Sequence, residues 1–131
     1  LSIAAVALGA ERALAVESDA GAIATAAANI ERAGLGARIE LVNAVVDDGY
    51  LAGAGEAGFD LIVANVLSGM LTPLLPGFRA ALRPAGRLIL GGIMTDEAEA
   101  IGAAAAAAGL SVMAEDVEGE WWTGLLRRSR G

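Results

Sequence analysis

Two rhythms alternate along this chain: short uninterrupted apolar runs, and longer stretches whose apolar residues recur at helical spacing. Ser2 to Leu8 reads as the end of a helix stopped by Gly9. Ala13 to Val16 is a short buried strand closed by Glu17, and Ala20 to Ala33 is a helix with Ile23, Ala27 and Ile30 on one face. Arg38 to Val42 is a second strand, and the Gly- and Asp-containing stretch from Asp47 to Gly58 reads as a loop with one turn. Leu61 to Ala64 is a third strand. Ser68 is placed to cap the helix that follows, which Pro76 kinks or restarts and which runs to Leu82. Arg83 to Gly86 is a turn, and Leu88 to Leu90 is a strand ending at Gly91-Gly92. Thr95 or Asp96 caps a last helix through the alanine run Ala103 to Ala108, which predicts close packing on the sheet.

This alternation predicts an α/β protein with a parallel sheet and crossover helices. The end of the chain departs from it. Leu110 to Glu118 and Trp121 to Arg127 are both strand-like, and only Gly119-Glu120 separates them. So short a link predicts an antiparallel hairpin.

The sharpest boundary lies in Phe59-Asp60-Leu61-Ile62-Val63-Ala64-Asn65-Val66-Leu67, where a buried-strand run stops at one amide side chain. In open α/β sheets, ligands sit beyond the carboxyl ends of the strands, so Asn65 stands where chemistry is expected. An Asn there also suits a simple turn. Its carbonyl oxygen can instead accept a hydrogen bond from a substrate amine and orient that nitrogen for attack. Glu17 likewise ends a strand and suits a ribose diol, while Glu17-Ser18-Asp19 also reads as a helix-capping cluster. Asp47 and Asp48 form a carboxylate pair of the kind that can hold a metal or do acid–base work, but read chiefly as solvated. Trp121 and Trp122 are adjacent on a strand and point to opposite faces, one toward core and the other toward a pocket. Gly91-Gly92 is either a place of close ligand approach or an ordinary turn.

Composition trims the options. The 131 residues are expected to form one domain, with no Cys and no His, and so with no thiolate metal site, no imidazole base and without the commonest metal ligand; no metal is expected. All nine basic residues are Arg, and the net charge is −7, which disfavours direct nucleic-acid binding and suits a basic protein partner. No apolar run reaches the roughly 20 residues of a membrane span, and no signal peptide is read at Leu1. A cytoplasmic setting is expected.

Four segments together resemble a known family: Leu1-Ser2-Ile3-Ala4-Ala5 with Leu8-Gly9-Ala10; Val63-Ala64-Asn65-Val66-Leu67; Arg83-Pro84-Ala85-Gly86-Arg87-Leu88-Ile89-Leu90-Gly91-Gly92-Ile93; and Gly119-Glu120-Trp121. Their order and spacing are similar to the PrmA family of class I S-adenosylmethionine-dependent methyltransferases. That family methylates amino groups of the eleventh protein of the large ribosomal subunit. The resemblance implies a Rossmann-like sheet with a C-terminal antiparallel hairpin, and S-adenosyl-L-methionine as cofactor. It implies that Glu17 holds the cofactor ribose, that Asn65 meets the substrate nitrogen near the methyl group, and that Val66 and Leu67 shape the same wall. It also implies a monomer acting on a lysine side chain or an N-terminus. Glu17 stands where the family usually has Asp, Ala20 where it has Pro, Ala85 where Gly is usual, and Gly91 where Ser is usual.

The family's glycine-rich cofactor loop, D-x-G-x-G-x-G, and the strand before it would fall immediately before Leu1. A catalytic-domain fragment lacking both is therefore expected. A missing strand would leave roughly twice the usual spacing of about 4.8 Å, with two unpaired inner edges. The chain by itself is expected to be unstable and inactive. Two rivals remain: a nicotinamide-dependent oxidoreductase, which also places an acid after its second strand, and a non-catalytic binding module on a degenerate methyltransferase fold. An antiparallel last strand inside the sheet would separate the first rival from a methyltransferase.

Overall fold

Parallel strands linked by helices organise the chain, as the computed structural model shows for residues 1–54 and 57–130. The residues fall into two compact units, Leu1–Val46 and Asp47–Gly131.

In the first unit, helix α1 (Ser2–Ala7) leads to strand β1 (Ala13–Glu17), helix α2 (Ala20–Arg32) and strand β2 (Ile39–Asn43). β1 and β2 pair in parallel from Ala13 opposite Ile39 to Glu17 opposite Asn43, with α2 as the crossover. Val6, Ile30 and Ile39 form the buried centre, with Ile3, Ala15 and Leu41 packed around it. The inward face of α2 is Ile23, Ala26 and Ile30; Ala27, expected on it, is exposed. Both i+3 and i+4 lie on the face of i, and the packing of this helix turns the i+3 side inward. Arg38 ties the loop before β1 to the start of β2, its guanidinium donating to the carbonyls of Ala10 and Glu11 at 2.7 and 3.0 Å.

The second unit begins with helix α3 (Asp48–Ala54), then strand β3 (Phe59–Asn65), helix α4 (Ser68–Leu71), a 3₁₀ turn (Thr72–Leu74) and helix α5 (Leu75–Ala81). Strand β4 (Leu82–Met94), a 3₁₀ turn (Thr95–Glu97), helix α6 (Ala98–Ala107) and strands β5 (Leu110–Glu118) and β6 (Trp121–Arg128) complete it. Its sheet has the order β3-β4-β6-β5, with β3 parallel to β4 and β6 antiparallel to both its neighbours. Leu71, Leu75, Leu88, Leu90, Ile93, Leu110 and Leu126 are fully buried against it. The alanine run packs as expected, with Ala105 completely covered. No helix of the described residues is long and apolar enough to cross a membrane.

Three local expectations are corrected. Within the loop expected from Asp47 to Gly58, Asp48–Ala54 is a helix longer than one turn; Gly55 and Glu56 lie outside the described residues. The Asp47 carboxylate accepts from the Tyr50 amide at 2.7 Å and so caps the helix, while Leu51 is buried. A β-carbon on Gly77 of α5 would lie 2.7 Å from Leu51 Cδ1, so α3 gains its packing where Gly77 lets it approach. Ser68, expected as a cap, does not cap its own helix. Neither Thr95 nor Asp96 caps α6; the Glu97 carboxylate instead accepts from the Met94 amide at 3.2 Å. The turn expected at Arg83 to Gly86 survives as an excursion within β4, because the ladder passes from Leu82 opposite Phe59 to Arg87 opposite Leu61.

Candidate functional site

Asn65 is the last residue of β3, opposite Gly91 in the ladder. The strand that delivers it is apolar throughout its second half, and Ala64 beside it is buried, so the backbone of Asn65 is anchored while its side chain is exposed. Gly92, the next residue of β4, has φ of 73°, a conformation L side chains rarely adopt. A β-carbon there would lie 2.5 Å from Asn65 Oδ1, 3.2 Å from the Val66 carbonyl oxygen and 3.4 Å from the Val66 amide nitrogen. The space read as room for a ligand beside Gly91-Gly92 is, at Gly92, the seat of the Asn65 amide.

Beyond Asn65 the chain enters an open cleft of about 630 Å³ lined by Leu67, Met70, Gly92, Met94, Glu97 and Trp121 among others. Leu67 and Trp121 are largely exposed on its walls, at 69% and 52%. Glu97 braces it. One carboxylate oxygen accepts from the Ser68 hydroxyl at 2.7 Å, and the other from the Met94 amide. The hairpin turn is tied in by the Thr95 amide, which donates to the Glu120 carbonyl at 2.9 Å. The two tryptophans divide as their register requires. Trp122 is buried and donates through Nε1 to Glu115 at 2.6 Å, whereas Trp121 faces the cleft. Trp122 packs against Gly124, where a β-carbon would collide with its ring.

In the first unit, Glu17 ends β1 half-buried. Its Oε1 accepts from the Asp19 amide at 3.0 Å, and Asp19 in turn accepts from the Gly21 amide at 2.9 Å to cap α2. The capping reading therefore holds for Asp19. Glu17 is oriented by that same turn through one of its two oxygens.

The second unit thus brings together Asn65, Val66 and Leu67 with Gly92, Met94 and Trp121. Glu97, Met70 and Met94 were not anticipated from sequence. Their only signal was proximity to strand ends, because the bond from Ser68 to Glu97 spans 29 positions.

An α/β sheet whose final hairpin inserts β6 antiparallel beside β4 defines the class I methyltransferase fold, and the nicotinamide-dependent alternative, whose sheet continues with parallel strands, is not favoured. The sequence profile described as ribosomal protein L11 methyltransferase (PrmA) matches residues 1–129, and the chain belongs to that family. A ribosomal protein L11 methyltransferase of Pelotomaculum thermopropionicum is 38% identical over 121 residues, covering 92% of this chain and 38% of the relative. One from Thermus thermophilus is 38% identical over 126 residues, covering 92% of this chain and 45% of the relative. The chain thus spans less than half the length of these curated relatives. The crystal structure of ribosomal protein L11 methylase from Lactobacillus delbrueckii subsp. bulgaricus aligns with a TM-score of 0.83 at 27% identity, over 98% of this chain and 63% of that one.

Proposed function

We propose that this chain forms part of the catalytic domain of an enzyme that methylates amino groups of ribosomal protein L11, on a lysine side chain or the N-terminus, with S-adenosyl-L-methionine as donor. The observation that carries this reading is Asn65: a carbonyl oxygen at a strand end, seated on Gly92, which itself lines an apolar cleft.

The Glu17 carboxylate, already turned by the Asp19 amide, fits a ribose diol, since it offers acceptors to two hydroxyls. When bound, S-adenosyl-L-methionine supplies a methyl group on a sulfonium, a leaving group good enough to need no acid catalyst. What remains for the protein is alignment and exclusion of water. Asn65 Oδ1 accepts an N–H of the neutral amine and so points its lone pair. Val66 and Leu67 wall that position, and Met70, Met94 and Trp121 provide apolar surface for an aliphatic stem. A lysine amine, with a pKa of about 10.4, must first lose its proton before it can attack. With the donor bound, the nitrogen–carbon bond would form as the carbon–sulfur bond breaks, and the proton left on the product nitrogen would go to solvent.

Calorimetric titration with S-adenosylhomocysteine tests the reading, on these 131 residues and on the parent protein that contains them. Saturable binding to the protein that contains these residues is expected, with the Glu17 carboxylate on the ribose. Absence of binding by a folded parent would exclude a methyltransferase and favour a binding module.

A further inference from the structure

We infer that Gly92 is a positioning residue for Asn65, acting through the space it leaves for Oδ1. The inference rests on the reading of Asn65 just given. Two constraints meet at Gly92. The first is its backbone φ of 73°, which strains any L side chain. The second is steric and more specific. Of the three atoms nearest a β-carbon at this position, the closest by 0.7 Å is Asn65 Oδ1, at 2.5 Å against 3.2 Å for the Val66 carbonyl oxygen. Oδ1 is the far end of a rotatable side chain, whereas the Val66 atoms belong to backbone.

The consequence is an unequal response to substitution. Swinging the Asn65 amide away relieves the closest contact of a methyl group at position 92, while the left-handed φ and the Val66 backbone atoms at 3.2 and 3.4 Å set a cost in stability. The displaced atom is the one that must accept the amine N–H, and a misplacement of about 1 Å at a reacting centre can cost on the order of 100-fold in rate. The neighbouring position behaves differently. At Gly91 a β-carbon would meet Asn65 Oδ1 at 3.6 Å and Thr123 Oγ1 at 3.9 Å, ordinary contacts, and no left-handed φ is required there.

The test is a double-mutant cycle in the parent enzyme, assayed with S-adenosyl-L-methionine and ribosomal protein L11. Gly92→Ala is expected to lower kcat about 100-fold while leaving KM for the cofactor within about threefold. In an Asn65→Ala background the same change is expected to lower kcat no further, because the atom it displaces is gone. Gly91→Ala is expected to stay within about twofold of the parent, by the ordinary contacts above. Should Gly92→Ala fail to fold, Gly92→Asn keeps the added β-carbon while tolerating positive φ, and the same loss of kcat is expected. An unchanged kcat in a folded Gly92 variant, or an equal further loss in the Asn65→Ala background, overturns the inference. If Asn65→Ala itself leaves kcat unchanged, the reading of Asn65 fails instead.

Discussion

The Ser68 hydroxyl donates to a carboxylate oxygen of Glu97 at 2.7 Å, joining the start of α4 to the turn after β4. The other Glu97 oxygen holds the Met94 amide, so one side chain closes both ends of the loop pair that flanks the cleft. The Met94 bond spans only three positions, whereas the Ser68 bond spans 29 and requires β3 and β4 to lie side by side.

Glu97→Ala is expected to destabilise the parent by about 1–3 kcal/mol, by removing a charged acceptor from two donors. Glu97→Gln keeps one good acceptor and is expected to cost less. Urea unfolding of both variants checks the order. A loss in Gln as large as that in Ala would mean that charge, and not the acceptor pair, is what matters.

Asn65→Ala is expected to cut turnover by about 100-fold or more while S-adenosylhomocysteine affinity stays within about threefold. Single-turnover assays and calorimetry separate the two quantities. Equal losses in both would move Asn65 from substrate alignment to cofactor binding.

Glu17→Gln is expected to have the opposite signature. Exchange of a charged acceptor for a neutral one weakens cofactor binding by about 1–2 kcal/mol, roughly 5- to 30-fold, with little change in kcat at saturation. Titration of the variant with S-adenosylhomocysteine reads this directly, and an unchanged affinity would leave Glu17 with only its bond to the Asp19 amide.

The adjacent tryptophans are expected to part company. Trp122→Ala removes a buried ring and leaves Glu115 without its indole donor, costing about 3–5 kcal/mol of stability. Trp121→Ala, on the cleft wall, is expected to change stability by less than about 1 kcal/mol and to raise KM for the protein substrate. Thermal melts set beside steady-state kinetics test the pair.

The 131 residues by themselves are expected to self-associate. Among the described residues β1 pairs only with β2, and β3 pairs only with β4, so each leaves one edge of backbone groups unpaired. Leu61 and Val63 on β3 are exposed at 43% and 36%. Size-exclusion chromatography across a concentration series is the check, and a well-behaved monomer would overturn the expectation.

What the sequence by itself determined is whatever depends on near neighbours. The alternation of apolar runs and helical stretches marked the strands, Asp19 announced the start of α2, and the two-residue link Gly119-Glu120 required a hairpin. The halt of an apolar run at Asn65 singled out that residue before its surroundings were known. Tertiary structure decided what depends on partners far apart in the chain. A Gly-rich stretch became α3 because Leu51 found a place against Gly77, and Ser68 turned from capping its helix to bonding Glu97. Gly91-Gly92 suited either a turn or a ligand until pairing of β3 with β4 set Asn65 against it. Local propensities are weak beside the burial and hydrogen bonds that assembly supplies, so a side chain's role follows its neighbours in space.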